Sequence, residues 1–154
     1  MKTNKINKVL IALDYDPTAI KISEVGFTFA KAMNAEIVLV HVIVDLVAYS
    51  LTYLNMGPLQ LESVMELKDA SEQFLQKTKI HLGDLTIQTV VKEGDFAECI
   101  LVTAEELDVD VIVMGSHSHK WLENIVMGSV TEEVMRKTTV PMFIVPTKKR
   151  EVKE

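Results

Sequence analysis

A lone cysteine, Cys99, stands in a chain of 154 residues, so no intrachain disulfide can form and a reducing compartment is the natural setting. Basic excess is missing too. Lysine and arginine number 16 against 22 aspartates and glutamates, a formal charge of −6. A general nucleic-acid or anionic-membrane surface needs the opposite sign to displace counterions, so a bound anion calls for a local site. No apolar run nears the roughly 20 residues of a membrane span. The run at 9–13, behind the polar, basic residues 1–7, ends at Asp14 and is too short for a secretion-signal core. Internal repeats, low-complexity tracts and a Gly-x-Ser-x-Gly nucleophile elbow are all absent. The expectation is a cytoplasmic globular protein with neither nucleic-acid nor membrane partners.

What is present is 48% apolar and 25% charged, a globular mixture, read as one domain over 1–154 with a charged, frayed tail at 147–154. Continuous β-branched runs at 8–13, 36–43, 109–114 and 141–145 predict strands covered on both faces. The run at 85–91 alternates more and predicts a strand nearer an edge. Helical spacing links Ile22, Val25, Phe29, Ala32 and Met33 in 19–33, and Val64, Leu67, Phe74 and Leu75 in 61–82. It also links Ile100, Ala104 and Leu107 in 96–107, and Val130, Val134 and Met135 in 125–137. Strands alternating with helices imply a parallel sheet with helices on both faces, because parallel neighbours require long crossovers. Residues 44–60 break the rhythm. They contain the turn signal Asn55-Met-Gly-Pro58, yet Leu46, Leu51, Tyr53, Leu54 and Met56 predict a flap that packs on this domain or on a partner. Cys99 and His41 read as core residues, the histidine with one ring nitrogen satisfied.

In an open α/β sheet, ligands bind at the carboxyl ends of the strands, where strand order reverses. After the first strand come Asp14 and Asp16-Pro-Thr18: Asp16 or Thr18 reads as the cap of the next helix, and Asp14 faces a ligand or its metal ion. After the fourth strand come Gly115 and, further on, Gly128-Ser129 opening a helix. Small residues let main-chain amides approach an anion, and the helix N-terminus adds its dipole. His117 and His119 form a His-x-His pair, but in a loop and with no third ligand in sight a zinc site is disfavoured. Ser116, Ser118 and Ser129 lie near histidines, yet no general base can be named for a hydrolase.

The segments Met114-Gly-Ser-His-Ser-His119, Met127-Gly-Ser-Val-Thr-Glu132 and Val140-Pro-Met-Phe-Ile-Val-Pro146 resemble the C-terminal signature of the universal stress protein family. Lys8-Val-Leu-Ile-Ala-Leu-Asp14 and Leu39-Val-His-Val-Ile43 resemble its first two strands. The family's nucleotide-binding members carry a glycine, two residues, a second glycine, nine residues and then Gly-Ser or Gly-Thr. Here Gly115 and Gly128-Ser129 are in register while Ser118 replaces the second glycine. A non-glycine residue in left-handed geometry costs on the order of 1 kcal/mol.

The resemblance implies an adenine nucleotide alpha hydrolase-like fold, an open five-stranded parallel sheet of order 3-2-1-4-5. It also implies a site for ATP or another adenine nucleotide, with magnesium. Asp14 would sit near the ribose, the phosphates or the ion, Val42 against the adenine, and Ala12 and Met114 along the pocket. Gly115, Ser116, His117 and Ser118 would wrap the phosphates by backbone, with Gly128, Ser129 and Val130 completing the cradle. The implied function is a stress-response module that dimerises through residues 141–146 and at most hydrolyses ATP slowly. The alternatives are a nucleotide-independent dimeric interaction protein whose pocket has decayed, and a weak phosphohydrolase.

Overall fold

The structure is a computed structural model that describes residues 5–45, 60–116 and 128–147. Strands and helices alternate along them: β1 (Lys8–Ala12), α1 (Thr18–Ala32), β2 (Glu36–Ile43), α2 (Gln60–Leu82), β3 (Gln88–Glu93), α3 (Phe96–Glu106), β4 (Val111–Gly115), α4 (Ser129–Lys137) and β5 (Met142–Val145). The strands form one sheet of order β3-β2-β1-β4-β5. All neighbours are parallel, with Val9 opposite both Ile37 and Val111, Val38 opposite Gln88, and Ile112 opposite Met142.

Alternation along the strands sorts the core into two layers. Val9, Ile11, Leu39 and Val113 pack with Ile22 and Ala30 of α1 and Leu75 of α2. Leu10, Val40, Ile112 and Met114 pack on the other face with Ile100 of α3 and Val134 of α4. Covering both faces is what demands unbroken apolar strands. β3 lies at an edge, as its alternation predicts, and His41 is 7% exposed within its apolar strand. Cys99 is half-buried, its thiol against the Glu93 carbonyl, and burial raises its pKa above the usual value.

Three expected starts move by two residues or more, each for a local reason. β3 starts at Gln88, not 85, because the Asp84 carboxylate accepts from both the amide and the hydroxyl of Thr86 and ties 84–86 into a turn that leaves Leu85 exposed. β4 starts at Val111, not 109, where Asp110 accepts the amides of Asn7 and Lys8. α4 starts at Ser129, not 125, since Gly128 is extended (φ −55°, ψ 147°) and no helix runs through it.

The helix faces also differ. Ala32, Met33, Leu67 and Met135, expected inside, are exposed. Beside the expected Ile22, α1 buries Ala19, Ser23, Gly26 and Ala30. It sits so close to the sheet that a Cβ on Gly26 would lie 2.7 Å from Ile11 Cδ1, and this small-residue line displaces the bulky positions from the contact. The expected flap, apart from residues 44, 45 and 60, and the expected tail, apart from Thr147, lie outside the described residues. Among those described, no helix is long and apolar enough to cross a membrane.

Candidate functional site

β1 and β4 are adjacent, yet the chain leaves β1 for one face and β4 for the other, so the two exits diverge and leave a crevice above their carboxyl ends. A cavity of about 340 Å³ lies there, within the usual range for small-molecule sites. Ala12, Val40, Val42 and Met114 form its apolar floor, and Phe96 and Ile100 of α3 its side wall. Asp14, Tyr15, Asp16 and Thr18 stand at one lip, and Gly128, Val130 and Thr131 at the other.

Hydrogen bonds hold the first lip. The Leu13 amide donates to the Val40 carbonyl at 2.9 Å, and the Asp16 amide to the Asp14 carbonyl at 2.9 Å. The Asp16 carboxylate accepts the Thr18 amide at 2.7 Å and also its hydroxyl, so Asp16 serves the start of α1. Asp14, exposed, stands beside it at the same lip.

The second lip is stitched to the end of β4. The Gly128 amide donates to the Ser116 carbonyl at 2.7 Å, and the Thr131 hydroxyl donates to the Gly115 carbonyl at 2.9 Å. The opening amides of α4 have no acceptor inside their own helix, which places the positive end of its dipole at the cavity mouth. Such an end favours an anionic guest.

Of the expected site residues, the cavity lining gathers Ala12, Asp14, Val42, Met114, Gly115, Gly128 and Val130. Ser116 is turned into the framework: its amide donates to the Val145 carbonyl at 2.9 Å, and its hydroxyl accepts the Thr147 amide at 3.0 Å. Ser129 opens α4 without lining the cavity. His117, Ser118 and His119 lie outside the described residues. Gly115 is not in left-handed geometry. Its missing side chain makes room for α1, since a Cβ would fall 2.5 Å from Ile22 Cδ1.

Phe96, Ile100 and Thr131 are lining residues that sequence reasoning did not single out. Thr131 had a signal in its place one turn into the Gly-Ser helix start. Phe96 and Ile100 had none, because their approach to β2 depends on tertiary packing. Among the described residues, no three His, Cys, Asp or Glu side chains are grouped to hold a metal. A divalent ion at this lip would therefore rely on Asp14 together with the oxygens of a ligand.

A sequence model of the Universal stress protein family matches residues 5–146. Universal stress protein MJ0577 of Methanocaldococcus jannaschii is 28% identical over 158 residues, covering 92% of this chain and 95% of its own length. The solved structure of MJ0577 superposes with a TM-score of 0.74 at 28% identity, covering 95% of this chain and 99% of that one. A universal stress protein solved in complex with cAMP gives a TM-score of 0.63 at 17% identity, covering 94% and 99%. Another, from Archaeoglobus fulgidus and in complex with dAMP, gives 0.60 at 17% identity, covering 91% and 98%.

Proposed function

Because the chain belongs to the universal stress protein family, we propose that its cavity binds an adenine nucleotide, ATP foremost, with magnesium, and that the protein serves as a dimeric stress-response module of the cytoplasm. One observation carries this reading: an apolar slot, the start of α4 and Asp14 line a single cavity. A base suits the slot between Val42, Ile100 and Met114. β2 runs on to Ile43, beyond the last β1 partner pair Ala12 and Val40. Alternate residues of a parallel strand turn their main-chain groups to alternate sides, so those of Val42 face the side where β1 has ended, well placed for the edge of a purine. Phosphates suit the opposite lip, where the α4 dipole favours negative charge.

Asp14 repels phosphate oxygens directly, so its use there requires a cation between the two. Magnesium held by one carboxylate and the phosphates is the usual arrangement. The related structures with cAMP and dAMP support an adenine guest, since those ligands share the base while their sugar-phosphate portions differ.

Thermal denaturation with ATP, AMP and cAMP, with and without magnesium, tests the reading. Ligand at a hundredfold excess over Kd should stabilise the fold by about 2.7 kcal/mol. Gly128→Val, which puts two methyls at the anion lip, should weaken binding on the order of tenfold or more. Asp14→Ala should remove the benefit of magnesium. Absence of stabilisation by any of the three nucleotides at millimolar levels would instead favour the nucleotide-independent interaction protein.

A further inference from the structure

Residue 41 cannot touch a guest in the cavity, because its neighbours Val40 and Val42 carry the cavity-facing side chains and successive strand residues point to opposite faces. It is nevertheless a histidine, 7% exposed. A buried polar group costs free energy unless it is hydrogen-bonded, and this one is bonded. His41 Nδ1 lies 2.7 Å from the Leu13 carbonyl oxygen. A carbonyl can only accept, so Nδ1 carries the proton and donates.

Leu13 is thereby gripped twice by β2: its amide donates to the Val40 carbonyl, and its carbonyl receives the His41 ring. Leu13 is also the residue directly before Asp14. On the far side, the His41 ring packs against Phe74 of α2 with centroids 5.5 Å apart. Phe74 in turn meets Tyr15 edge-on at 5.0 Å. Asp14 is therefore bracketed by two residues whose positions both lead back to His41.

We propose that His41 is a positioning residue for the ligand site, fixing through Leu13 and Phe74 the direction in which the β1–α1 loop offers Asp14 to the cavity. The effect on affinity rests on the nucleotide reading above, whereas the hold on the loop does not. Asparagine places its side-chain NH2 close to where Nδ1 sits and can keep the bond to Leu13. Leucine keeps bulk and loses the donor.

The test compares the full-length wild type, His41→Asn and His41→Leu, reading amide hydrogen exchange at residues 14–16 and affinity for ATP with magnesium. His41→Leu should speed exchange at the Asp16 amide more than in the β1 core and weaken ATP binding on the order of tenfold, the scale of one lost buried hydrogen bond. His41→Asn should restore both. Equal behaviour of the three proteins would overturn the proposal, and so would equal impairment of both variants, which would make ring bulk the cause. Faster loop exchange with unchanged affinity would overturn the link to the ligand. If the wild type binds no nucleotide while the exchange pattern holds, the nucleotide reading fails and the grip on the loop stands. Should the leucine variant not fold, nitrogen NMR of the wild type decides: a proton found only on Nε2 removes the bond and the proposal with it.

Discussion

Gly115 is the clearest case of one residue serving two masters. It lines the cavity, yet the space its side chain would fill belongs to α1: a Cβ would sit 2.5 Å from Ile22 Cδ1 and 3.0 Å from Thr147 Cγ2. Ile22 is 4% exposed and has little room to swing aside. Gly115→Ala should therefore cost about 1–3 kcal/mol by overpacking, measured by urea denaturation. Ile22→Val deletes the clashing Cδ1 methyl, so in the double variant part of that loss should return. A double-mutant cycle reads the coupling directly. Loss of ATP affinity with undiminished stability would assign the glycine to the ligand alone. This packing role was illegible in the sequence, because residues 22 and 115 meet only through the sheet. His41 was legible in part: a polar residue inside an apolar run implies a satisfied core group, but nothing in the spacing names Leu13 as its partner. Asp-Pro-Thr marked the start of α1, with Asp16 or Thr18 as its cap; the N-cap position falls on Pro17, and the Asp16 carboxylate accepts the Thr18 amide.

Among the elements, the join between the end of α1 and the turn after α2 is electrostatic. Lys31 reaches Asp84 at 2.5 Å, and Asp84 also accepts from Thr86. The Lys31 bond foremost, then the Thr86 hydroxyl and amide, lower the Asp84 pKa from 3.8 to about 2. A carboxyl whose folded pKa is depressed binds protons less readily than in the unfolded chain. Its stabilisation is therefore present above the unfolded value and lost as pH falls through the folded one. Asp84→Asn should accordingly lower the urea midpoint at about pH 6, and the gap from wild type should close between about pH 4 and pH 2. A gap that persists in acid would assign the effect to packing instead of charge. The same turn explains why β3 was harder to read than β1 or β2. The apolar signal begins at Leu85, but the Asp84–Thr86 hydrogen bonds take those residues first, so pairing starts only at Gln88. The strands β1, β2, β4 and β5 were legible because their runs are continuously apolar. The helix faces were less so, because α1 meets the sheet along small residues such as Gly26 and Ala30, which carry little weight in a count of bulky apolar positions.

At the scale of the whole molecule, β5 is the last strand of the sheet, and among the described residues no strand pairs with its outer side. The Ile112 amide donates to the Pro141 carbonyl at 3.0 Å and the Ser116 amide to the Val145 carbonyl at 2.9 Å, so the main chain of residues 141 and 145 faces β4. By strand alternation, the main-chain groups of Met142 and Ile144 face outward. An edge with unpaired donors invites another strand, and a second copy of the same edge is self-complementary about a twofold axis. The proposed dimer would form there. Ile144→Pro removes an outward amide without touching the bonds to β4, a position where proline is tolerated in sheets. Because Ile144 also packs on the α3 and α4 layer, Ile144→Val serves as the control, trimming the side chain and keeping the amide. In sedimentation equilibrium the wild type and Ile144→Val should be dimers and Ile144→Pro a monomer. The melting temperature of the first two should rise with protein concentration, while that of the proline variant should not. A wild type that sediments as a monomer at high concentration would rule the edge out as an interface, and so would a dimer that survives the proline.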